Sequence, residues 1–348
     1  MMNIKKCLLA LVAGSVFLVS CSSDDDNNAG QAGAYIDGTF ILNEGNSTPS
    51  TASVTFLGNN GTVQQDIYTA VNPDKPGLGT YLQDLFFSND KAFIISGSAN
   101  KITIVDRYTF KYIATVDTNL ENPRYGVVLN GKAYITNYAG FGTGADDFLT
   151  VVNLSDYTTS KIALNNWSEK IIEENGKLYI ANGFYGSGTA VTVFNPSNNT
   201  TERVIELGAS PESFQEEDGI LYVLGGGKLS RINLATNQLS GSINLPEALT
   251  YSAQDLVIED DKLYFTAETS VYTMPLNSTT IPVIPLLTYT SDSEYGAMYG
   301  FNVKDDKIYI ADGGNFSQDS KIYTYSLAGA LLNSYTVGVG PNGFYFND

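Results

Sequence analysis

Seven short segments of one design recur along this chain, and their spacing restricts the fold more than any other feature. Each is a turn of Asn, Asp, Gly or Lys followed by an apolar strand with an aromatic residue near its centre. Examples are Asn130-Gly131-Lys132-Ala133-Tyr134-Ile135 and Asp305-Asp306-Lys307-Ile308-Tyr309-Ile310. The aromatic anchors are Phe40, Phe93, Tyr134, Tyr179, Tyr222, Tyr264 and Tyr309, separated by 53, 41, 45, 43, 42 and 45 residues. A unit of 40-odd residues opening on an Asn-Gly or Asp-Gly hairpin matches a four-stranded propeller blade. Such a regular aromatic stripe is read as core packing rather than as a binding box.

The other strands of each unit follow the same order. An alternating apolar strand comes after each anchor, such as Ile102 to Asp106 or Val191 to Asn195, and then a more polar one, such as Arg203 to Leu207 or Ile281 to Leu286. An innermost strand precedes the hairpin in every unit but the first, for example Gly126 to Leu129 and Tyr299 to Val303. The chain ends on Pro341-Asn342-Gly343-Phe344-Tyr345-Phe346-Asn347-Asp348, an innermost strand with no hairpin after it. The spacing therefore predicts an all-β, seven-bladed propeller over residues 35–348, its ring closed by the C-terminal strand joining the first blade. That closure removes the free sheet edges of an open stack. The first spacing hides an insertion around Asn72 to Thr80, which leaves six or eight blades open.

The chain contains no histidine, which excludes Ser-His-Asp and Cys-His catalysis, His-ligated zinc and His-ligated haem. It also removes the side chain best suited to proton transfer near neutral pH, so a binder is expected rather than an enzyme. The formal charge is −18, which disfavours nucleic acid as a partner. Asp146-Asp147 and Asp312-Gly313-Gly314-Asn315 lack the ligand spacing of a dedicated calcium loop and are read as solvated turns. Neither a metal nor a cofactor is expected.

Residues 1–20 have the form of a signal peptide, with Lys5-Lys6 followed by an apolar run from Cys7 to Val19 too short for a comfortable membrane span. The run ends Leu18-Val19-Ser20-Cys21, which resembles a bacterial lipobox. The resemblance implies cleavage before Cys21 and lipidation of that residue. Cys21 is then the one cysteine of the mature chain, which rules out an internal disulfide. Residues 21–34 begin Ser22-Ser23-Asp24-Asp25-Asp26 after the cysteine and cannot pack, so they are read as a flexible tether. A serine and acidic run at this place resembles the export signal of surface lipoproteins in the Bacteroidota. It implies an outer-membrane, outward-facing location, with the membrane contacted through the lipid alone.

Ile41-Leu42-Asn43-Glu44-Gly45-Asn46 resembles the opening of a group of YncE-like, surface-layer type propellers found as lipoproteins in the Bacteroidota. Some members of that group capture vitamin B12 and pass it to an outer-membrane TonB-dependent transporter. The resemblance implies capture of a small molecule, with a corrinoid as one ligand and such a transporter as partner. A protein-interaction or adhesive module without a small ligand is the alternative.

In a propeller, innermost strands start and second strands end on one face, and the loops there are the default binding surface. The candidate ligand-binding residues are Tyr81, Gln83, Arg124, Tyr125, Tyr138, Trp167, Glu169, Phe184, Tyr185, Tyr299 and Phe316. The same face is expected to carry Asn43, Glu44, Asn46, Asp84, Asn137, Asn182, Glu212, Gln254, Asp312 and Asn315. Aromatics on Gly-rich loops after Asn137 and Asn182 suit a planar, amphipathic ligand. Gly142 to Gly144 lacks the Gly-Lys-Ser/Thr ending of a phosphate loop, and nucleotide binding is rejected.

Overall fold

The repeated turns fold as tight hairpins whose central residues take positive φ, at Asn130-Gly131 (50° and 75°), Asn175-Gly176 (52° and 76°) and Asp218-Gly219 (51° and 75°). Asp260-Asp261 and Asp305-Asp306 adopt the same left-handed pair without glycine, a conformation that Asp tolerates better than most residues. The computed structural model describes residues 33–47, 50–140, 142–184, 186–250 and 252–347. The expected signal peptide, the lipidation site Cys21 and the tether up to residue 32 lie outside the described residues, as do Phe141 and Tyr185.

The hairpins assemble into seven antiparallel four-stranded sheets arranged as a propeller, as the spacing predicted. Six innermost strands open blades two to seven in turn: Leu82–Ser88, Pro123–Leu129, Ile171–Glu174, Ser213–Glu217, Ala253–Glu259 and Gly300–Lys304. The seventh, Pro341–Asn347, pairs with Gly38–Asn43 and completes the first blade, with Phe40 opposite Tyr345 and Ile41 opposite Phe344. The expected closure is therefore present. Asn347 is fully buried and fastens it. Its Nδ2 donates to the carbonyls of Tyr35 (2.5 Å) and Arg107 (3.1 Å), and its Oδ1 accepts from the Arg107 guanidinium.

Strand alternation explains how one sheet serves two interfaces, because successive side chains point to opposite faces. In blade two, Phe93 and Ile95 face blade three, packing with Ala133 and Ile135. Their neighbours Ala92 and Ile94 face blade one, packing with Phe40 and Leu42. Every aromatic anchor lies in the interface with the following blade: Phe40, Phe93, Tyr134, Tyr179, Tyr222, Tyr264 and Tyr309 each belong to a different cluster. Tyr309 meets Ile41 and Phe344, which seals blade seven against blade one. Burying such a side chain contributes roughly 1.5–3 kcal/mol.

Two outer edges depart from the repeat. Blade one has an outermost strand of only Val63–Gln64, followed by the helix Ile67–Val71. The insertion packs Ile67, Tyr68 and Leu78 against blades one and two, and Asn72 bonds the Phe110 carbonyl (2.9 Å) and the Tyr112 N–H (2.8 Å). It adds no blade. In blade six the expected outermost strand at 281–286 is absent and only Leu287–Thr288 pairs. Pro282 and Pro285 interrupt that segment and have no N–H to give to a ladder.

The two ends of the strands define two faces. The upper face holds the starts of the innermost strands and the ends of the second strands; the lower face holds the hairpin turns. The described chain begins on the lower face, where the Tyr35 N–H meets the Tyr108 carbonyl at 3.0 Å in a lower turn of blade two.

Candidate functional site

The upper mouth of the central channel is built from positions near the start of each innermost strand. Arg124 and Tyr125 lie on blade three's strand and Gln83 on blade two's, while Glu169 stands two residues before blade four's. Glu169 is placed by a bond from its N–H to the Ala181 carbonyl (3.0 Å). Its carboxylate takes Arg124 at two points, Nε to Oε2 at 3.0 Å and Nη2 to Oε1 at 2.8 Å. Arg124 Nη1 donates to Gln83 Oε1. The guanidinium lies 4.9 Å from the centre of the Tyr138 ring, a cation–π contact. Burial works against the Arg124 charge, but the Glu169 carboxylate more than offsets it and holds the guanidinium protonated. Burial, with the Glu169 charge beside it, pushes the Tyr125 and Tyr138 hydroxyls well above the usual tyrosine range, so both remain neutral.

A second group closes the mouth from blades seven and one. Tyr299 stands edge-on to Phe316 with centroids 4.9 Å apart, and its hydroxyl donates to Glu44. Asn46 Nδ2 holds the Phe316 carbonyl at 2.8 Å. Burial raises the Glu44 carboxyl, against the pull of the Tyr299 hydroxyl and the Arg124 charge.

The two groups share a cavity of about 410 Å³ lined by Glu44, Gln83, Arg124, Tyr125 and Tyr299. A second stretch of about 430 Å³ continues below. Lys170, Asp255, Phe301 and Asn302 line both stretches and form the waist. Lys170 Nζ lies 3.9 Å from the Asp255 carboxylate. Burial raises the Asp255 carboxyl and the Lys170 charge offsets part of that rise.

The structure thus brings Gln83, Arg124, Tyr125 and Tyr299 to one cavity, with Glu169 paired to Arg124 and Tyr138 and Phe316 against them. Trp167 sits behind, buried and edge-on to Tyr138 at 6.4 Å, with Gly144 and Gly188 packed on its ring. Gly144 has φ +69°, and a Cβ there would stand 2.5 Å from the Trp167 nitrogen, so the Gly-rich loop serves this packing. Tyr81 is 38% exposed and lies off the cavity lining. Phe184 ends the strand Lys177–Phe184, but its side chain, like all of Tyr185, lies outside the described residues.

Asn43, Asn137 and Asn182 prove to be clasps inside their blades. Each is buried, and each pairs with a threonine of the adjacent strand, Thr55 (3.0 Å), Thr150 (2.9 Å) and Thr192 (2.8 Å). Asp312 accepts from the Gly314 N–H (2.8 Å) and the Tyr289 hydroxyl (3.1 Å), and Asp147 from the Ser168 N–H (3.0 Å). Both are buried anchors of their loops rather than the solvated turns expected. Lys170, Asp255, Asn302, Asn342 and Tyr345 were missed by sequence reasoning. The available signal was position, since each lies on or directly before an innermost strand, whose edge lines the channel.

The cavity wall offers paired opposite charges, neutral phenol donors and amides. Such a wall matches an uncharged or zwitterionic ligand with many hydrogen-bonding groups better than a strongly charged one.

The model of a protein family described as a domain of unknown function, DUF5074, matches residues 37–347. No curated protein matches the sequence. Among solved structures, the chain is similar to a quinoprotein alcohol dehydrogenase-like protein of Bacteroides thetaiotaomicron, with TM-score 0.69 and 17% identity over 90% of this chain and 79% of that one. It is also similar to BamB of Moraxella catarrhalis, with TM-score 0.54 and 12% identity over 88% and 84% of the two chains. A dihydro-heme d1 dehydrogenase, NirN, gives TM-score 0.58 and 11% identity over 90% and 76%. At these identities the likeness is one of fold.

Proposed function

The chain belongs to the DUF5074 family, and from that premise we propose that it is a lipid-anchored surface protein that captures a small molecule at the upper mouth of its propeller. The observation that carries the reading is the convergence of Glu44, Gln83, Arg124, Tyr125 and Tyr299, from four blades, on one cavity, with Glu169 holding Arg124 in place. Fixed ion pairs and neutral tyrosines supply orientation, and the aromatic rings supply apolar contact. With no histidine in the chain, the site is read as one that binds and releases rather than reacts.

A cavity of about 410 Å³ lies toward the small end of ligand pockets. A corrinoid such as vitamin B12 is too broad to enter it. It rests across the mouth on Tyr299 and Phe316 and sends an amide side chain down to Arg124 and Glu169. Delivery to a TonB-dependent outer-membrane transporter accords with the lipidation implied by the lipobox-like Leu18-Val19-Ser20-Cys21 and the outward-facing location implied by Ser22-Ser23-Asp24-Asp25-Asp26. Calorimetry of the full chain with cyanocobalamin tests the ligand. Saturable heat that is lost in Arg124→Ala is the expected result, and no heat at micromolar concentration sinks the corrinoid assignment. Capture from outer membranes of another surface protein, with no transporter, would favour an adhesive module instead.

A further inference from the structure

Two opposite charges at the waist of the channel stop just short of each other. Lys170 directly precedes blade four's innermost strand and is held there by its carbonyl, which accepts from the Ala181 N–H (2.8 Å). Asp255 lies on blade six's innermost strand, which the Ser213 hydroxyl of blade five fastens by accepting from the Leu256 N–H (3.1 Å). Lys170 Nζ reaches to 3.9 Å from Asp255 Oδ1. Among the described residues its hydrogen-bonding partner is the same Ser213 Oγ, at 3.4 Å. Ordinary N–H···O bonds are about 2.9–3.0 Å long, so the ammonium keeps donors, and the carboxylate keeps lone pairs, for something else. Both side chains are little more than a quarter exposed, 28% and 29%, and they line both stretches of the channel. The Lys170 ammonium stands 5.9 Å from the centre of the Tyr125 ring. The Tyr125 hydroxyl also makes no hydrogen bond among the described residues. Arg124 and Glu169 differ, because they spend their bonds on each other.

The charges select what fills the gap. An anion on Lys170 would also face Asp255 and Glu44, and a cation on Asp255 would also face Lys170 and Arg124. Like charges repel more strongly in a confined channel than in water. A zwitterion satisfies both partners but must shed the water of two charges, whereas a neutral group sheds much less. The neutral group that carries a strong acceptor and an N–H donor on one carbon is a primary carboxamide.

We infer that the waist is a carboxamide subsite, in which Lys170 donates to the amide oxygen and Asp255 accepts from the amide nitrogen of the part of the ligand that reaches the bottom of the upper cavity. Both bonds are charge-assisted. The inference deepens the capture reading and rests on it.

The full chain, with lysine labelled at Cε, is titrated with propanamide, propanoate, propylammonium and alanine, four probes of similar size. The Lys170 signal is the one lost in Lys170→Met. The expected result is a saturable shift with propanamide at a concentration at least about tenfold below the other three. In Asp255→Asn, which keeps the side chain's shape, propanoate is expected to match or overtake propanamide, since the charge that repelled it is gone. No saturation by propanamide, or equal shifts from all four probes, overturns the inference. Alanine as the tightest probe assigns the pair to an amino acid and also overturns it. An unchanged order in Asp255→Asn removes Asp255 from the subsite and the inference with it. Calorimetry with cyanocobalamin separates this from the capture reading. Affinity at least about tenfold lower in Lys170→Met than in the unmodified chain supports both. Equal affinity in the two proteins keeps the capture reading and overturns the subsite. Absence of heat in both sinks the corrinoid alone, and the propanamide result stands by itself.

Discussion

Arg124 of blade three and Glu169 at the entrance to blade four meet as a two-point ion pair, with both nitrogen–oxygen distances at or below 3.0 Å. The pair ties two blades across the channel mouth and leaves Arg124 Nη1 for Gln83. Breaking a fully buried pair costs about 3–5 kcal/mol, and this one keeps partial solvent access, so Glu169→Gln is expected to cost about 2 kcal/mol. Urea unfolding measures that cost. The same variant is expected to weaken cyanocobalamin binding at least about tenfold, the equivalent of one lost charge-assisted hydrogen bond. Undiminished binding would detach the pair from the ligand.

Deleting Pro341 to Asp348 removes the innermost strand of blade one and exposes the edge of Gly38–Asn43. Loss of cooperative unfolding or a large fall in melting temperature is the expected outcome. A milder test is Asn347→Ala, which strips the Tyr35 and Arg107 carbonyls of their donor and is expected to cost roughly 2–3 kcal/mol. An unchanged melting temperature in both variants would refute closure by this strand.

Asp84 is buried between blades, and burial pushes its carboxyl up to about 6 against the opposing bonds from the Gly126 N–H and the Tyr345 hydroxyl. The folded chain therefore holds this proton more tightly than the unfolded chain, where the value is about 3.9. The stability contributed by the proton is full below about pH 4 and is lost as pH rises through about 6. Asp147, also pushed to about 6 by burial, acts in the same direction. A series of melting temperatures from about pH 4 to pH 7 is expected to slope downward from these groups, by on the order of 2 kcal/mol for Asp84. Asp84→Asn flattens the slope, and an equally steep slope in the variant would place its origin elsewhere.

Gly131 isolates the cost of the hairpin turn. Its φ is +75°, and a Cβ there meets nothing within 4 Å. Gly131→Ala is therefore expected to lose about 1 kcal/mol by backbone conformation alone. Chemical denaturation of the two proteins reads the difference, and a stabilised variant would contradict the turn geometry.

Most of the fold was legible because a blade is a local object. Turn, anchor and alternating strand lie within about 45 residues, so the period counted the blades and the unpaired C-terminal strand predicted the closure. The exceptions have local causes too: Pro282 and Pro285 deny blade six a full outer strand, where apolar composition alone read as one. The site was legible by face but not by side-chain direction. Arg124, Glu169 and Gln83 come together from three blades, and nothing near Trp167 in sequence says that its ring turns inward onto Gly144 and Gly188. Asn43, Asn137 and Asn182 looked like loop polar groups, yet their threonine partners ten to thirteen residues on make them part of the scaffold.

The clasp of Asn347 on Tyr35 spans 312 residues of sequence. By polymer statistics, gathering a loop of that length costs only about 2 kcal/mol more than gathering one of about 40 residues. The thermodynamic burden is small, but the kinetic one is not, because contacts this remote slow the search for the native arrangement. Six sheets form from neighbouring sequence, and the seventh must wait for both ends to find each other. The reverse path meets the same gate. A protease or a shearing force that needs an unravelled end must first pull out the strand that arrived last, so resistance is concentrated in one short pairing.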